Sequence, residues 1–375
     1  MDYAIRDIQY IVNYLKQKKD YRRLDNFLTV LTELKEKSVY CNGYPVWLTI
    51  DPTNICTLKC PFCSTGGGLI KRPKGMMNIG EFKKIMDILG PYLLHIDMQN
   101  WGEPLLNKDI YQMIACAKQF DINIALSTNF QNFDARSAED MINSGLDRLL
   151  LSIDGASPET YEKHRRGGNF LKVIENINIL INKKKQFKSL LPYVIWQFLV
   201  FRHNEHEIEI AKKMGEELGV DAVGFNSAFI AVDSLEYRDW VPLDRKYSRY
   251  DLSDTPKTIV GSESFLKSSS EVVCNWLWEG ITINWDGTTS PCCGVFLEEE
   301  DFGNILGELK FQQLWNNHHY RTAREFMRDR NKKEPTIKNT CISCNKVGQI
   351  NIELDRDFWA QSAKEYLAWK SAQKV

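Results

Sequence analysis

From Tyr44 onward, short apolar runs alternate with amphipathic stretches at a spacing that few folds accommodate. The runs are VWLTI (46–50), LLHIDM (93–98), INIALS (122–127), RLLLSID (148–154), YVIWQFLVF (193–201) and AVGFN (222–226). Between them lie GEFKKIMDILG, KDIYQMIACAKQF, DARSAEDMINSG, FLKVIENINILINKKK and EHEIEIAKKMGEELG, whose apolar residues recur at helical period. Strands joined by helices pair in parallel, because each right-handed crossover returns the chain beside the strand it left. Six such units are too few to close an eight-stranded barrel. The expected fold class is α/β, a partial (β/α)6 TIM-like barrel over residues 45–230 with its site at the carboxyl ends of the strands.

At 375 residues the chain exceeds what one core comfortably holds, so flanking units are expected. Residues 1–44 carry apolar positions at helical spacing (Ile5, Ile8, Ile11, Val12 and Leu15, then Leu24, Phe27, Leu28, Leu31 and Leu34) and predict a helical N-terminal extension of two helices. Residues 231–270 are polar and rich in turn residues, which predicts a linker or a substrate-covering loop. Residues 271–350 predict a small α+β domain. ITINWDGTTSPCC forms a hairpin around Asp286-Gly287, and ELKFQQLWNNHHYRTAREFMRDR reads as one helix. Residues 351–375 predict a C-terminal helix.

A net charge of −1 argues against a nucleic-acid backbone as partner. The apolar stretch LLPYVIWQFLVF is too short to span a bilayer and contains Pro192 and Gln197. MDYAIRDIQYIV lacks the basic-then-apolar order of a signal peptide. The expectation is a soluble cytoplasmic protein, where ten cysteines act as thiolate ligands or catalytic groups rather than disulfides. Cys41 and Cys116 stand alone and read as small buried hydrophobes.

CTLKCPFC (56–63) sets Cys56, Cys60 and Cys63 in a C-x3-C-x2-C pattern directly after the first strand. A structural zinc or a closed iron–sulfur cluster takes four protein ligands. Three thiolates on one loop can cap three corners of a cubane and leave one iron open. Zinc would want a fourth ligand, and no His or Cys is close in sequence, so the residues favour an iron–sulfur site over zinc.

With Phe62 before its last cysteine, this loop resembles that of the radical S-adenosylmethionine (radical SAM) enzymes, and the resemblance covers residues 45–230. NWGEPLLN (100–107) resembles the family's Gly-Gly-Glu-Pro motif with Trp101 in place of the first glycine. The resemblance implies that Gly102 and Glu103 hold the methionine amino group, and it puts Trp101 against the cofactor or substrate pocket. STN (127–129), with Thr128 and Asn129, and SIDGASPETYEKHRRGGNF (152–170) resemble the third- and fourth-strand signatures. They imply Ser152 and Arg165 as contacts to carboxylate and ribose, with Arg166 the alternative to its neighbour.

Cys274, Cys292, Cys341 and Cys344, spaced C-x12-G-x4-C and then C-x2-C, supply four thiolates, enough to close a second cluster. The pattern resembles the twitch domain, a shortened relative of the SPASM domain, and implies one auxiliary [4Fe-4S] cluster; a zinc knuckle is the alternative. Cys293 can be a spare thiol, a ligand exchanged with Cys292, or a catalytic hydrogen donor. Adjacent side chains in a strand point oppositely, which argues against both ligating one cluster. His203, His206, His318 and His319 read as solvated or capping residues, and CNWLWEGITINW reads as core packing.

The resemblance implies S-adenosylmethionine as cofactor, a SAM-binding [4Fe-4S] cluster on three cysteines, and an electron donor such as flavodoxin or ferredoxin. It further implies cleavage of S-adenosylmethionine to a 5′-deoxyadenosyl radical that abstracts hydrogen from a substrate C–H bond, while the auxiliary cluster relays electrons. The expected substrate is a small molecule and the expected reaction is dehydrogenation of a polyol or aminosugar-type alcohol, making the chain a radical SAM oxidoreductase. Alternatives are a sugar epimerase, an enzyme modifying a ribosomally synthesised peptide, and a non-catalytic zinc or iron–sulfur interaction protein.

Overall fold

The computed structural model describes residues 8–228, 230, 237–248, 274–329 and 340–341. Two helices, α1 (Ile8–Lys18) and α2 (Tyr21–Glu36), precede the alternating core. That core runs β1 (Trp47–Ile50), α3 (Ile79–Leu89), β2 (His95–Met98), α4 (Ile110–Lys118), β3 (Asn123–Thr128), α5 (Ala135–Ser144) and β4 (Arg148–Ser152). It continues through α6 (Pro158–His164), α7 (Phe170–Phe187), β5 (Tyr193–Val200), α8 (Ile208–Leu218) and β6 (Ala222–Ser227). Each of the six apolar runs became a strand, and adjacent strands pair in parallel.

The strand period of two sorts the side chains. Leu48, Ile50, Ile96, Met98, Ile124, Leu126, Leu149, Leu151, Val194 and Trp196 join the core shared with the helices. Each such fully buried aliphatic side chain contributes about 2 kcal/mol. The alternate positions, Trp47 and Thr49, His95 and Asp97, Asn123, Ser127, Arg148 and Ser152, lie on the opposite face and fill the barrel with polar groups. Asp97 there accepts from Trp47 Nε1 (2.7 Å) and pairs with His95 Nε2 (2.9 Å). Local chemistry starts the helices: Asn78 and Glu81 make a capping box on α3, and Asp134 and Asn169 cap α5 and α7.

The second half follows as α9 (Trp276–Glu279), β7 (Gly280–Ile283), β8 (Thr288–Ser290), β9 (Gly303–Asn304), α10 (Phe311–Trp315) and α11 (His318–Arg328). The hairpin expected around Asp286-Gly287 is present, with Gly287 at φ 82°. It does not start a separate sheet. β7 pairs in parallel with β1, giving one nine-stranded sheet in the order β6-β5-β4-β3-β2-β1-β7-β8-β9. The amino-terminal helices bury Ile11, Leu15, Leu24, Phe27 and Val30 against Val46, Trp47 and Trp276. Arg23 pins α2 by donating to the Gly90 and Phe120 carbonyls (3.1 and 2.7 Å), which the ends of α3 and α4 leave unpaired.

Three expectations need correction or delimiting. The single helix expected across residues 308–330 is two, α10 and α11, because asparagine side chains compete with the helix for backbone groups. Asn316 bonds both the N–H and the carbonyl of Cys41 (2.7 and 2.8 Å), and Asn317 caps α11 at Tyr320 N. His203 is not a solvated ring. It lies against Phe201 and Trp240 with Nε2 3.2 Å from the Thr160 carbonyl, and burial pushes its pKa down to about 4. Cys344, the 351–375 segment and most of the 231–270 loop lie outside the described residues. Among the described residues no helix is long and apolar enough to cross a membrane.

Candidate active site

The segment after β1 folds back on itself. Thr53 Oγ1 donates to the Gly75 carbonyl (2.7 Å), Asn54 Nδ2 donates to the Pro73 carbonyl (2.7 Å), and the Gly75 N–H donates to Asn54 Oδ1 (2.9 Å). These bonds and a bridge from Thr53 to Met76 close the cysteine loop at its neck. Gly102 lies directly on this neck, where an added Cβ would overlap the Thr53 carbonyl, so the Gly-Glu-Pro turn can seat only with glycine there. The Glu103 N–H donates to the Ile55 carbonyl (2.8 Å) and ties the turn to the loop a second time.

A cavity of about 270 Å³ opens above the strand ends. Cys56, Cys60 and Cys63 border it together with Trp101, Gly102, Glu103, Thr128, Asn129, Ser152 and Arg165. The turn after β2 and the end of β3 clasp each other at the cavity edge. The buried Glu103 carboxylate accepts from Thr128 Oγ1 (2.6 Å), Asn129 N (2.7 Å) and Leu105 N (3.0 Å), while burial raises its pKa. Below the loop, Asp154 holds Arg165 Nε (2.5 Å) and His164 Nδ1 (2.7 Å). Burial alone would raise the Asp154 pKa, but Arg165 and His164 drive it down to about 2. Arg165 stays firmly charged, with Asp154 and Cys60 overcoming the penalty of burial. The neighbouring Arg166 instead accepts the Lys59 N–H at its carbonyl and is absent from the cavity wall, so the two arginines are distinguished.

Phe62 does not line the cavity. It packs among Phe201, Trp240 and His164, under the segment that carries Trp240. Trp101 reaches across to the second domain, donating from Nε1 to the Val295 carbonyl (3.1 Å) and meeting Phe296 edge-on. Cys292 and Cys293 diverge. Cys292 packs with Cys274 on the Trp47–Trp276 cluster, whereas Cys293 borders the cavity. Asn100, oriented to satisfy its neighbours, donates to the Cys293 carbonyl (3.0 Å). Cys341 is buried in the main core.

Sequence reading missed Thr49, Gln99, Asn100 and Ser127 in the wall, and Asp154 beneath it. The signal was available in the strand period: counting every second residue from Trp47, His95, Asn123 and Arg148 reaches Thr49, Gln99, Ser127 and Ser152.

The residues present suit an open iron–sulfur group. Three thiol-bearing side chains border one cavity, and the Leu58 N–H and Asn129 Nδ2 approach Cys56 Sγ (3.4 and 3.7 Å), as hydrogen bonds to a ligating sulfur would. Burial raises the Cys56 pKa and pushes that of Cys60 up to about 11, so a metal must displace their protons. Among the described residues no three His, Cys, Asp or Glu side chains converge on a single ion-sized point. The cysteines ring a space instead.

A parallel partial barrel with three such thiols at its carboxyl end defines a class: an α/β enzyme that holds an iron–sulfur group beside a small-molecule pocket. Residues 50–225 match the Radical SAM superfamily, and residues 274–345 match an iron-sulfur cluster-binding domain, SPASM. The chain carries a radical SAM domain and a SPASM-type domain, with S-adenosylmethionine, a [4Fe-4S] cluster and an auxiliary iron–sulfur cluster as their cofactors. Among curated relatives, the GTP 3′,8-cyclase of Alkaliphilus oremlandii (strain OhILAs) is 31% identical over 168 residues, 44% of this chain and 50% of that protein. The chain spans about half the length of the curated relatives it matches. Among solved structures, Streptococcus suis SuiB bound to precursor peptide SuiA superposes with a TM-score of 0.57 at 15% identity, over 88% of this chain and 75% of that one. anSMEcpe with bound AdoMet superposes with a TM-score of 0.55 at 18% identity, over 88% and 98%. These likenesses establish the fold.

Proposed function

We propose that this radical SAM enzyme oxidises one carbinol of a small polyol or aminosugar to a ketone. One observation carries the reading: among the described residues the cavity wall mixes apolar surface with uncharged hydroxyls and amides and is nearly free of charge. Among the described residues its charged side chains are Glu103 and Arg165, and both are engaged, Glu103 by Thr128 and Asn129 and Arg165 by Asp154. Phosphates and carboxylates are recognised through charge-assisted bonds to Arg or Lys, and among the described residues the wall has no cation beyond Arg165. Thr49, Gln99, Asn100, Ser127 and Ser152 offer hydroxyls and amides suited to a polyhydroxylated ligand. A triphosphate such as the one in the Alkaliphilus relative's name suits this wall poorly.

When bound, S-adenosylmethionine and the two clusters supply the 5′-deoxyadenosyl radical and an acceptor for the electron that oxidation releases. The chain's own part is positioning. In this reading the Glu103 clasp receives the methionine amino group, Arg165 braced by Asp154 meets the carboxylate or ribose, and Ser152 assists. Trp101, held edge-on by Phe296, forms part of the cavity wall. The test is anaerobic turnover of reconstituted enzyme with cyclitols, aminocyclitols, a nucleoside triphosphate and a peptide. Equal amounts of 5′-deoxyadenosine, methionine and ketone with a cyclitol support the reading, and turnover with the triphosphate or peptide alone overturns it.

Cys293 in the cavity wall favours a second reading, epimerisation. Its S–H bond would break as a C–H bond forms on the opposite face of the substrate carbon. The thiyl sulfur would then take one electron from an external donor and a proton from water. Solvent deuterium in the product, lost in Cys293→Ala, would favour this reading, whereas unchanged turnover in that variant removes it.

A further inference from the structure

The return arm of the cysteine loop is held from two sides. On one side are the loop's own residues: the Pro73 carbonyl accepts from Asn54 Nδ2 (2.7 Å), and the Gly75 N–H donates to Asn54 Oδ1 (2.9 Å). On the other side is the hairpin of the second domain. Trp285 Nε1 donates to the same Pro73 carbonyl (3.1 Å), and its ring lies so close to Gly75 that an added Cβ would overlap it. Arg72 reaches both carboxylate oxygens of Asp301 (2.5 and 2.9 Å), and donates to Thr288 Oγ1 (3.1 Å) and the Leu297 carbonyl (3.3 Å) as well. The two side chains are only 2% and 8% exposed. Asp301 is itself fixed on the hairpin, where it accepts from Ser290 Oγ (2.7 Å). The Gly-Glu-Pro turn meets the same stretch of chain, since Trp101 Nε1 donates to the Val295 carbonyl and Asn100 to the Cys293 carbonyl. The cysteine loop and the turn both border the cavity, and both are bonded to residues 285–301.

A buried ion pair adds little stability, because stripping water from two charges offsets much of their attraction, and apolar side chains of similar size serve as well. What the pair adds is direction. A guanidinium fork meets a carboxylate in one plane and one register, which neither a lysine nor an apolar contact reproduces. We propose that the second domain is a positioning clamp on the S-adenosylmethionine site, with Arg72 and Asp301 as its pin. The pair sets the cysteine loop against the Gly-Glu-Pro turn at the spacing the cofactor requires. Arg72 does not line the cavity and acts through its neighbours Pro73 and Gly75, so it is a positioning residue. The inference rests on the reading that the cavity holds S-adenosylmethionine and is independent of which substrate is oxidised.

The test uses the full chain with both clusters reconstituted and S-adenosylmethionine as the probe. It reads the dissociation constant by equilibrium dialysis, KM and kcat for 5′-deoxyadenosine release without substrate, and amide hydrogen exchange across residues 56–71. Arg72→Lys keeps the charge and loses the fork. It is expected to raise the dissociation constant and KM about tenfold, equivalent to about 1.4 kcal/mol, and to speed exchange in the loop. At saturation kcat should stay within about twofold of wild type, as expected when binding alone is weakened. Arg72→Met/Asp301→Leu removes both charges at similar volume and strands neither, so it should melt close to wild type while raising KM as Arg72→Lys does. A pair that only stabilises the fold would lower the melting temperature and the amount of active enzyme, and the remainder would keep the wild-type KM. Wild-type KM and exchange in the double variant therefore overturn the clamp and leave the cofactor reading standing. If wild type itself binds no S-adenosylmethionine, that reading falls and takes the clamp with it.

Discussion

The two cysteine regions differ in how their side chains are brought together. Cys56, Cys60 and Cys63 lie on one loop, and that loop is closed at its neck by its own Thr53, Asn54 and Gly75. Closing so short a segment involves little chain entropy, and distant groups then seat it, among them Gly102, Glu103 and Asn129, the Arg166 carbonyl at Lys59 and Asp301 at Arg72. Cys274 and Cys292 each pack on a cluster that includes Trp47, a residue of the barrel's first strand. Cys341 comes from beyond α11. The first region is a local device set on a scaffold. The second exists only as part of the fold, because its hairpin extends the barrel's own sheet.

The sharpest break between them comes from single cysteines. Cys60→Ala is expected to lower S-adenosylmethionine cleavage by more than about 100-fold, beyond the 10–100-fold typical of an outer-shell change. The assay is 5′-deoxyadenosine formation, and thermal stability should change little. Cys292→Ala should abolish product to a similar degree but leave uncoupled cleavage standing, with iron content lower by about four per chain. It should also lower the melting temperature, because Cys292 packs against the cluster around Trp47 and Trp276. Equal loss of cleavage in both variants would mean the two regions do not act separately.

Next in size is the brace under the local loop. Asp154→Ala strands Arg165 and His164 in a buried setting, and removing one partner of such a pair destabilises by about 3–5 kcal/mol. Denaturant midpoints measure it. A loss comparable to an exposed ion pair would show that the loop stands without help from β4.

The smallest effect is a pH dependence at the root of the same loop. Burial pushes the Asp51 pKa up to about 8, partly opposed by the Gly102 and Trp101 N–H groups. A carboxyl whose folded pKa is raised holds its proton in the folded state after the unfolded chain has lost it. Its contribution is therefore complete below the unfolded value near 4 and is lost as pH rises towards about 8. Asp51→Asn removes that slope, so its melting temperature should gain on wild type from pH 5 to pH 8. Parallel curves would mean that Asp51 is ionised throughout.

Much of the barrel was legible because strand and helix periods are local properties. Four of the six strands fall within their apolar runs, β3 and β6 run one residue past theirs, and Cys56, Cys60 and Cys63 announce their loop by spacing alone. Other features were illegible for a stated reason. The break at Asn316-Asn317 depends on Cys41, far away in sequence, to which Asn316 bonds. That Arg165 rather than Arg166 borders the cavity depends on Asp154 beneath it. His203 reads as polar until Phe201 and Trp240 enclose it.

By itself the sequence determined the alternation, the thiol spacing and the glycine that lets residues 100–104 seat on the loop, because each is encoded within a few neighbouring residues. Tertiary structure alone decided that β7 joins β1, that Cys293 faces the cavity while Cys292 turns away, and that Thr49 and Thr282 stand side by side. Those facts depend on strand register between distant segments, and register is set by the packing of whole faces rather than by the identity of any one residue.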